Sequence, residues 1–499
     1  MTPFSRRGFL AAGASALSLA HLPLPARAED PSPLALGAAS RVLDIDGRAA
    51  TVYGLVGPSG QGLILDPGQR FRVDLTNTLD VATIVHWHGQ IPPNVQDGVP
   101  DMPMPALAPG ETRAYDFAPR PGTHWMHSHI PVQEMQLLAA PLIVRTPAEA
   151  AEDRQEVVMF LHDFSFRPPE EVLAEITGGH AGAHGHGNGA ENGGMTGMDG
   201  MAGMDHGAMG GMAMGGMAMD GKAMDGMAMD LNDHDWDAYL ANDRTLSDPE
   251  VIRVERGGRL RLRVINAAAA TVFWIDTGAV EARLAAVDGH AVDPMPGRRF
   301  GLAMGQRMDL LIDLPATAGT WPVLALREGA RERTGIVLAT AGAQVARLAP
   351  LADAEAPPFD LDLAQEARLV TRDPLPARPA DRRRMLMLGG SMEPYVWTID
   401  GATWGNHAPV EARSGERLEL TFHNMSMMGH PMHLHGHAFQ VVAINGTPVA
   451  GARRDTVYVP PMAMVTVAVD AGEAARWMLH CHHMPHLATG MMTEFAVSA

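Results

Sequence analysis

The stretch Gly68-Gln-Arg-Phe-Arg-Val-Asp-Leu-Thr-Asn77 alternates apolar and polar side chains from Phe71 onward, as a half-buried strand does. The pattern recurs from Gly257 to Asn266 and from Gly415 to Asn424, and each copy places its Asn nine residues after its Gly. Short alternating runs separated by Pro and Gly are typical of β-sandwich or Greek-key folds. The sequence therefore predicts an all-β chain of three similar domains.

Composition narrows the class of protein. The chain has 499 residues, of which 46% are apolar and 19% charged, values typical of a soluble globular protein with two to four domains. Its formal net charge of −19 argues against a nucleic-acid partner, because phosphates would be repelled. Cys481 is the single cysteine, so no disulfide forms within the chain, while 23 His and 34 Met supply many residues of metal-ligand type.

The N-terminus reads as a targeting segment. Ser5-Arg6-Arg7-Gly8-Phe9-Leu10 is a twin-arginine pattern, a short apolar stretch follows, and Ala26-Arg27-Ala28 offers a cleavage site. The apolar stretch is too short to span a bilayer, which disfavours a membrane anchor. We therefore expect a signal peptide, export by the twin-arginine route, a periplasmic location and no membrane span.

The domain plan follows from the repeat and from changes of composition. A segment of about 178–229 is rich in Gly, Met, Ala and His without apolar periodicity, and we expect a flexible insertion there; a plain low-complexity linker is the alternative. The predicted segments are a signal peptide at 1–28, domain 1 at 29–147, domain 2 at 148–345 with the insertion, a Pro- and Ala-rich linker at 346–384 and domain 3 at 385–499.

Four His-x-His pairs are the candidate metal ligands: His86-Trp87-His88, His127-Ser128-His129, His433-Leu434-His435 and His480-Cys481-His482. Residues i and i+2 of a strand point to the same face, so each pair presents two imidazoles in one direction. Nine residues beyond Asn77 and Asn424 lie His86 and His433, whereas the same place in domain 2 holds Ile275. Domains 1 and 3 are therefore predicted to carry metal and domain 2 to act as a spacer.

Cys481 faces away from its two histidine neighbours, into domain 3. There it can join His430, His486 and Met491, and a thiolate with two imidazoles and a weak axial thioether is a blue-copper arrangement. A buried structural cysteine is the alternative. The remaining histidines near these motifs lie outside the ligand register, and hydrogen bonds or solvent contact explain them: His124, His407, His423, His437 and His483.

These motifs resemble those of the three-domain multicopper oxidases, the laccase and cuprous-oxidase family. The likeness is carried by His-Trp-His-Gly (86–89), His-Ser-His (127–129), His-Pro-Met-His-Leu-His-Gly (430–436) and His-Cys-His-x3-His-x3-Gly-Met (480–491). The resemblance implies three cupredoxin-like domains and four coppers. It also implies one-electron oxidation of a substrate at a type 1 copper, coupled to reduction of O₂ to water at a trinuclear cluster.

The resemblance also implies a role for each ligand. The type 1 ligands would be His430, Cys481, His486 and Met491, with Met492 the second choice for the axial position. The type 2 ligands would be His86 and His433. The type 3 ligands would be His88, His127 and His482 on one copper and His129, His435 and His480 on the other. Asp97 matches a family carboxylate implicated in proton delivery, although an Asx-type turn before Gly98 explains it equally well.

The reducing substrate is less constrained. The Met- and His-rich insertion resembles those of copper-tolerance oxidases and suits Cu(I), and Met428 matches a family methionine that contacts copper. Several cuprous oxidases carry acidic residues where this chain has Ser426 and Leu487, and Leu487 follows the fungal laccase pattern. Met425, Met427, Met428 and Met484 form a local cluster that serves either copper contact or packing.

We therefore expect a monomeric oxidase that uses O₂ and oxidises Cu(I), phenols or aromatic amines, with a part in copper tolerance. A periplasmic copper carrier is the alternative from another class, and a general laccase with no metal-oxidase role is a further one. Eight cluster histidines disfavour the carrier, because a carrier needs no oxygen-reducing centre. Three domains disfavour a copper nitrite reductase, whose subunits have two.

Overall fold

A computed structural model describes residues 32–178 and 231–499. The predicted signal peptide and the predicted insertion, apart from Gly178, lie outside the described residues. The strands of the described ranges form three pairs of sheets, one pair for each domain, which confirms the predicted all-β class. Within the same ranges, no helix is both long and apolar enough to cross a bilayer.

The first sandwich contains the strands β1 Leu34–Ile45, β2 Arg48–Gly57, β3 Gly60–Gln61, β4 Leu63–Leu65, β5 Phe71–Asn77, β6 Val85–His86, β7 Thr112–Phe117, β8 Gly122–Ser128 and β9 Ala139–Val144. Its sheets have the orders β3-β2-β1-β5-β7 and β4-β9-β8-β6. An apolar core lies between them and includes Phe71, Trp87 and Tyr115.

The second sandwich contains β10 Gln155–Phe164, β11 Ala238–Ala241, β12 Val251–Val254, β13 Arg259–Asn266, β14 Phe273–Asp276, β15 Ala282–Val287, β16 His290–Gly297, β17 Arg299–Leu302, β18 Arg307–Asp313, β19 Thr320–Arg327 and β20 Arg333–Thr340. Its sheets have the orders β11-β10-β13-β18-β15-β16 and β12-β20-β19-β14-β17. The predicted spacer domain is thus a complete sandwich with its own core.

The third sandwich contains β21 Arg382–Met392, β22 Tyr395–Ile399, β23 Val410–Arg413, β24 Arg417–Asn424, β25 His430–Leu434, β26 Phe439–Ile444, β27 Thr447–Pro448, β28 Arg453–Arg454, β29 Thr456–Val459, β30 Met464–Asp470, β31 Arg476–Cys481 and β32 Met492–Ser498. Its sheets have the orders β22-β21-β24-β30-β26-β27 and β23-β32-β31-β25-β29. The α-helices of the described ranges are short: α1 Pro131–Met135, α2 Pro147–Ala151, α3 Pro169–Ile176, α4 Ala364–Arg368 and α5 Met484–Ala488.

The repeated sequence pattern forms the equivalent strand of each sandwich, namely β5, β13 and β24. Each of them pairs in parallel with the first strand of its domain, β1, β10 or β21. On β5 the buried side chains are those of Phe71, Val73, Leu75 and Asn77, which is the alternation that the sequence predicts.

The Asn that ends each repeat clamps the turn that follows it. The Asn77 amide donates to the carbonyl oxygens of Val81 and Leu107, at 2.8 and 3.0 Å. Asn424 makes the same kind of bonds to Met428 and Val459, at 2.7 and 3.0 Å. All three repeat Asn side chains are fully buried, so their bonds are not exchanged with water. The clamp fixes the route of the chain from the repeat strand to the next motif.

Domain 2 uses the same clamp without the histidines. Asn266 donates to the carbonyl oxygens of Thr271 and Leu302, at 2.9 Å each. In place of the first histidine, Ile275 lies on β14 and is fully buried in the core of domain 2. The third sandwich begins at Arg382, so Arg382–Arg384, which the sequence analysis put in the linker, belong to β21 and are exposed there.

Candidate metal centre

Strand pairing brings the four histidine motifs together two by two. In domain 1, β6 pairs with β8 so that His86 lies opposite His127. In domain 3, β25 pairs with β31 so that His433 lies opposite His480. The second histidine of each motif follows two residues later, on the same face as the first.

The two domains meet at these faces. The rings of His88 and His433, one from each domain, stack with centroids 3.8 Å apart, and His86 and His433 approach to 3.4 Å between their Nε2 atoms. All eight paired histidines are buried. Their ligand atoms cluster within 4.8 Å in three sets, His86 with His88 and His433, His88 with His127 and His482, and His129 with His435 and His480.

Hydrogen bonds determine which ring nitrogen of each histidine is bare, that is, carries no hydrogen and keeps a lone pair for a metal. A neutral imidazole has one N–H, so a ring that donates from Nδ1 keeps a lone pair on Nε2. The Nδ1 atoms of His86 and His433 donate to the carbonyl oxygens of Asp97 and Asp455, at 2.8 and 2.9 Å. Their facing Nε2 atoms are then two lone pairs 3.4 Å apart. Such a pair is repulsive without a cation between the atoms, so the donor set fits a metal ion.

The second set has the same construction. His435 donates from Nδ1 to Asp97 Oδ2 at 2.8 Å and His480 donates from Nδ1 to the carbonyl oxygen of Cys481 at 2.9 Å. Their Nε2 atoms face each other at 3.1 Å. Burial lowers the pKa of His480 to about 3, so its ring is neutral at physiological pH. The other four paired histidines each have one buried ring nitrogen without a hydrogen-bond partner among the described residues: His88 Nδ1, His127 Nε2, His129 Nε2 and His482 Nε2.

A second group lies in the interior of domain 3. The sulfur of Cys481 is 3.7 Å from His430 Nδ1 and 3.5 Å from His486 Nδ1, and these two nitrogens are 3.1 Å apart. Burial raises the pKa of the Cys481 thiol well above its usual value. A bound cation overcomes such a shift, because a coordinating thiol is deprotonated. The group of one sulfur and two nitrogens therefore suits a soft metal ion.

Met491 and Met492, the two candidate axial ligands, pack in different parts of the structure. Met491 is fully buried in the same apolar cluster as Cys481, and its backbone N–H donates to the carbonyl oxygen of His486 at 2.9 Å. Met492 packs instead against a different cluster that includes Val99 and Met478. Met491 is thus the methionine that shares the interior of domain 3 with the Cys481 group.

Asp97 contacts two of the paired histidines. Its Oδ2 accepts the 2.8 Å bond from His435, and its Oδ1 is 3.4 Å from His86 Nδ1. The next residue, Gly98, has φ of +91°, and a Cβ there would lie 1.9 Å from the carbonyl oxygen of Val85. Glycine at 98 therefore allows the chain to pass close to β6 and hold the Asp97 carboxylate against the cluster.

Three acidic residues contact the histidines without any signal in the sequence. Glu134 Oε2, on α1, lies 3.3 Å from His127 Nδ1, and burial raises the pKa of Glu134 to about 7. Asp455 Oδ1 lies 3.1 Å from His88 Nε2. Asp233, from domain 2, lies 3.8 Å from His486 Nε2. A carboxylate therefore stands beside His486 although position 487 is Leu.

The sequence matches known families along most of its length. Multicopper oxidase family models match residues 50–149, 214–345 and 377–499. The multicopper oxidase MmcO of Mycobacterium tuberculosis is 31% identical over 534 residues, an alignment that covers 98% of this chain and 96% of the relative. The chain belongs to the multicopper oxidases.

Other similarities agree with this membership. The oxidase is 24% identical to copper resistance protein A of Escherichia coli, with 90% of this chain and 89% of that protein covered. Its fold is similar to that of Fet3p, a multicopper oxidase that functions in iron import, with a TM-score of 0.70, 15% identity and coverage of 93% and 90% of the two chains. The predicted family, three-domain cupredoxin-like fold and oxygen-dependent oxidase class are confirmed.

Membership of this family also identifies the cofactor as copper. Multicopper oxidases hold four coppers in each chain, and the histidine clusters of this oxidase fit such sites. The enzyme couples oxidation of a reducing substrate to reduction of O₂ to water. The geometry then limits which residues can hold each copper.

Proposed function

We propose that the oxidase holds its four coppers in the ligand sets implied by its motifs. The type 1 ligands are His430, Cys481, His486 and Met491, the type 2 ligands are His86 and His433, and the type 3 ligands are His88, His127 and His482 with His129, His435 and His480. The observation that carries the proposal is the set of facing bare nitrogens where domains 1 and 3 meet: His86 faces His433 across the contact, and His435 faces His480 within domain 3. The predicted bounds of the first two domains, 29–147 and 148–345, are part of the same proposal, whereas the third domain begins at Arg382, the first residue of β21, instead of the predicted 385.

With copper bound, these ligand sets would supply one-electron oxidation of a substrate and four-electron reduction of O₂. The protein residues prepare the ligands: the carbonyl oxygens of Asp97 and Asp455 fix the tautomers of His86 and His433. Ser426 does the same in domain 3, because its hydroxyl lies 2.8 Å from His430 Nε2 and leaves His430 Nδ1 toward Cys481. Burial excludes bulk solvent from the ligands.

Conversion of one O₂ to two waters consumes four protons, and we propose that Asp97 supplies protons to this site. Its carboxylate is buried and accepts a hydrogen bond from His435 Nδ1. A cavity of about 10 Å³, large enough for one water molecule, lies on the opposite side of the histidine cluster. It is lined by His127, His129, Glu134 and Leu487. A water there would stand within reach of the Glu134 carboxyl.

We propose Cu(I) as the substrate that the oxidase takes up most effectively, with phenols and aromatic amines as further substrates. A cavity of about 10 Å³ is lined by the buried side chains of Met304, Met428 and His483. Among the described residues, neither ring nitrogen of His483 has a hydrogen-bond partner. Thioether sulfur and imidazole favour Cu(I). The His483 ring stacks on that of His486 with centroids 3.9 Å apart, so the cavity lies one ring away from the type 1 ligands.

The relatives named for copper resistance support a role in copper tolerance. In this proposal the Met- and His-rich segment of about 178–229 gathers Cu(I). The chain re-enters the described range at Leu231, which also lines the cavity. Asp233 places a carboxyl group beside this cavity, with its Oδ2 3.5 Å from His483 Nε2.

The test compares Cu(I), Fe(II) and a bulky phenol as substrates of one copper-loaded preparation. We expect Met304→Leu combined with Met428→Leu to raise the KM for Cu(I) about tenfold or more, the loss of roughly 1.4 kcal/mol of binding, and to leave the phenol unaffected. Met159→Leu is the matched control, because Met159 is fully buried in the core of domain 2.

Ag(I) should inhibit Cu(I) oxidation in the wild type, since it shares the soft ligand preference but yields no electron, and it should inhibit the double variant less. Equal loss with all three substrates would refute the docking cavity. Oxidation of the phenol without oxidation of Cu(I) would identify a general laccase.

We propose that the twin-arginine segment exports the protein, already folded, to the periplasm, where it acts as a monomer. The support is Arg6-Arg7 with the apolar stretch and the Ala26-Arg27-Ala28 site. Replacing both arginines by lysine should leave the protein in the cytoplasmic fraction and uncleaved. Light scattering of the purified oxidase checks the monomer, and a mass of twice the chain would reject it.

A further inference from the structure

Among the residues that the structure describes, domain 2 has no His-x-His pair, yet one of its side chains reaches the histidine cluster. Arg307, the first residue of β18, is fully buried. Its Nη1 and Nη2 donate to Asp455 Oδ1 and Oδ2, each at 2.6 Å. Two parallel bonds between a guanidinium and a carboxylate fix the orientation of both planes.

Asp455 in turn contacts histidines of both copper-bearing domains. Its Oδ1 lies 3.1 Å from Nε2 of His88, in domain 1, and its carbonyl oxygen accepts from Nδ1 of His433, in domain 3. The hydroxyl of Thr456 lies 3.0 Å from His88 Nε2 and 3.1 Å from His433 Nδ1. These contacts leave His88 Nδ1 and His433 Nε2 facing the cluster.

Arg307 is held in place by all three domains. Its Nε donates to the carbonyl oxygen of Thr123, in domain 1, at 3.2 Å, and its backbone N–H donates to Asp288 Oδ1, in domain 2, at 2.9 Å. Asp288 Oδ2 also accepts from Arg454, in domain 3, at 3.1 Å. These bonds hold the Arg307 guanidinium in one position. Because the guanidinium is fixed, its two bonds to Asp455 also restrain the Asp455 carboxylate.

We infer that Arg307 is a positioning residue of the trinuclear copper site, which acts through Asp455 to orient His88 and His433. The inference rests on the proposed assignment of these histidines to the type 3 and type 2 coppers. It changes the role of domain 2, which the sequence pattern alone predicts to be a spacer. In this structure the domain supplies a fixed cation that holds ligands of the other two domains in register.

The chain offers a matched control for Arg307. Arg263, on β13 of the same sheet, is also fully buried, and its Nη1 donates to Asp309 Oδ2 and to Thr123 Oγ1 at 2.9 Å each. Its other carboxylate partners are Glu156 and, at 3.5 Å, Glu149. Arg263 thus carries the same buried charge near the same domain contact, but its acidic partners do not contact the paired histidines.

The experiment compares Arg307→Lys with Arg263→Lys in the copper-loaded full chain. Lysine keeps the charge but cannot form the two parallel bonds. We expect Arg307→Lys to keep the blue type 1 absorption, to change the electron paramagnetic resonance spectrum of the type 2 copper, and to lower kcat at least tenfold with an unchanged KM for the reducing substrate. Arg263→Lys should retain the wild-type type 2 spectrum and kcat.

A wild-type type 2 spectrum in Arg307→Lys would overturn the inference, and so would the same spectral change in Arg263→Lys. If Arg307→Lys does not fold, as loss of the blue absorption would reveal, Thr456→Val tests the same clamp by removing the hydroxyl that both rings contact. An unchanged type 2 spectrum in that variant would then overturn it. Absence of a type 2 signal from the wild type would instead reject the proposed copper assignment.

Discussion

Replacement of Glu328 by Gln tests whether a buried carboxyl group at the proposed docking cavity is protonated in the folded protein. Glu328 is buried, lines that cavity, and accepts a 2.7 Å hydrogen bond from the backbone N–H of Phe359 at Oε2. Burial raises the pKa of Glu328 from 4.5 to about 8, although the Phe359 N–H and Arg327 act in the opposite direction. The folded protein therefore keeps this carboxyl protonated at neutral pH.

The sign of the pH dependence follows from this shift. Below pH 4.5 the group is protonated in both states and contributes nothing, whereas between 4.5 and about 8 only the unfolded chain ionises, so folding becomes less favourable as the pH rises. Each unit costs about 1.4 kcal/mol, which gives roughly 2 kcal/mol at about pH 6 and roughly 5 kcal/mol at about pH 9. Gln keeps the acceptor oxygen and does not ionise.

The stabilisation by Glu328→Gln should therefore grow by about 3 kcal/mol between about pH 6 and about pH 9. Urea unfolding of the copper-loaded wild type and variant at both pH values measures this difference. Glu171→Gln is the control, because the side chain of Glu171 is 63% exposed, and we expect no such growth there. A variant whose advantage is the same at both pH values would show that Glu328 is already ionised in the folded protein.

The remaining predictions concern the copper sites. Cys481→Ser should abolish the blue absorption and the oxidation of every substrate, while the type 2 resonance signal persists, because the paired histidines remain; persistent blue colour would place the thiolate elsewhere. Asp97→Asn should lower kcat roughly 10²-fold or more with the blue absorption unchanged, since a buried proton donor is lost; a wild-type kcat would leave Asp97 a turn residue. Deletion of 178–229 should lower Cu(I) oxidation more than phenol oxidation in steady-state assays, and equal losses would remove the role of this segment.

Much of the fold follows from the sequence because the relevant signals are local. A strand repeats every two residues, so the alternation from Phe71 to Asn77 predicts which side chains are buried. The same period places His480 and His482 on one face and Cys481 on the other, whatever the rest of the chain does. The repeat with its terminal Asn predicted three related domains, and the missing histidine at Ile275 predicted which one lacks paired ligands.

The partners of these ligands depend on the tertiary structure. The sequence gives no sign that Asp233 stands beside His486, that Glu134 stands beside His127, or that Arg307 holds Asp455. The last pair is 148 residues apart in the chain, and Asp97 is 338 residues from His435. Contacts of this kind form where separately folded domains pack against each other, and no short spacing in the chain encodes that packing. The sequence by itself determined which residues can bind copper, whereas the packing of three domains decided which charges hold them in position.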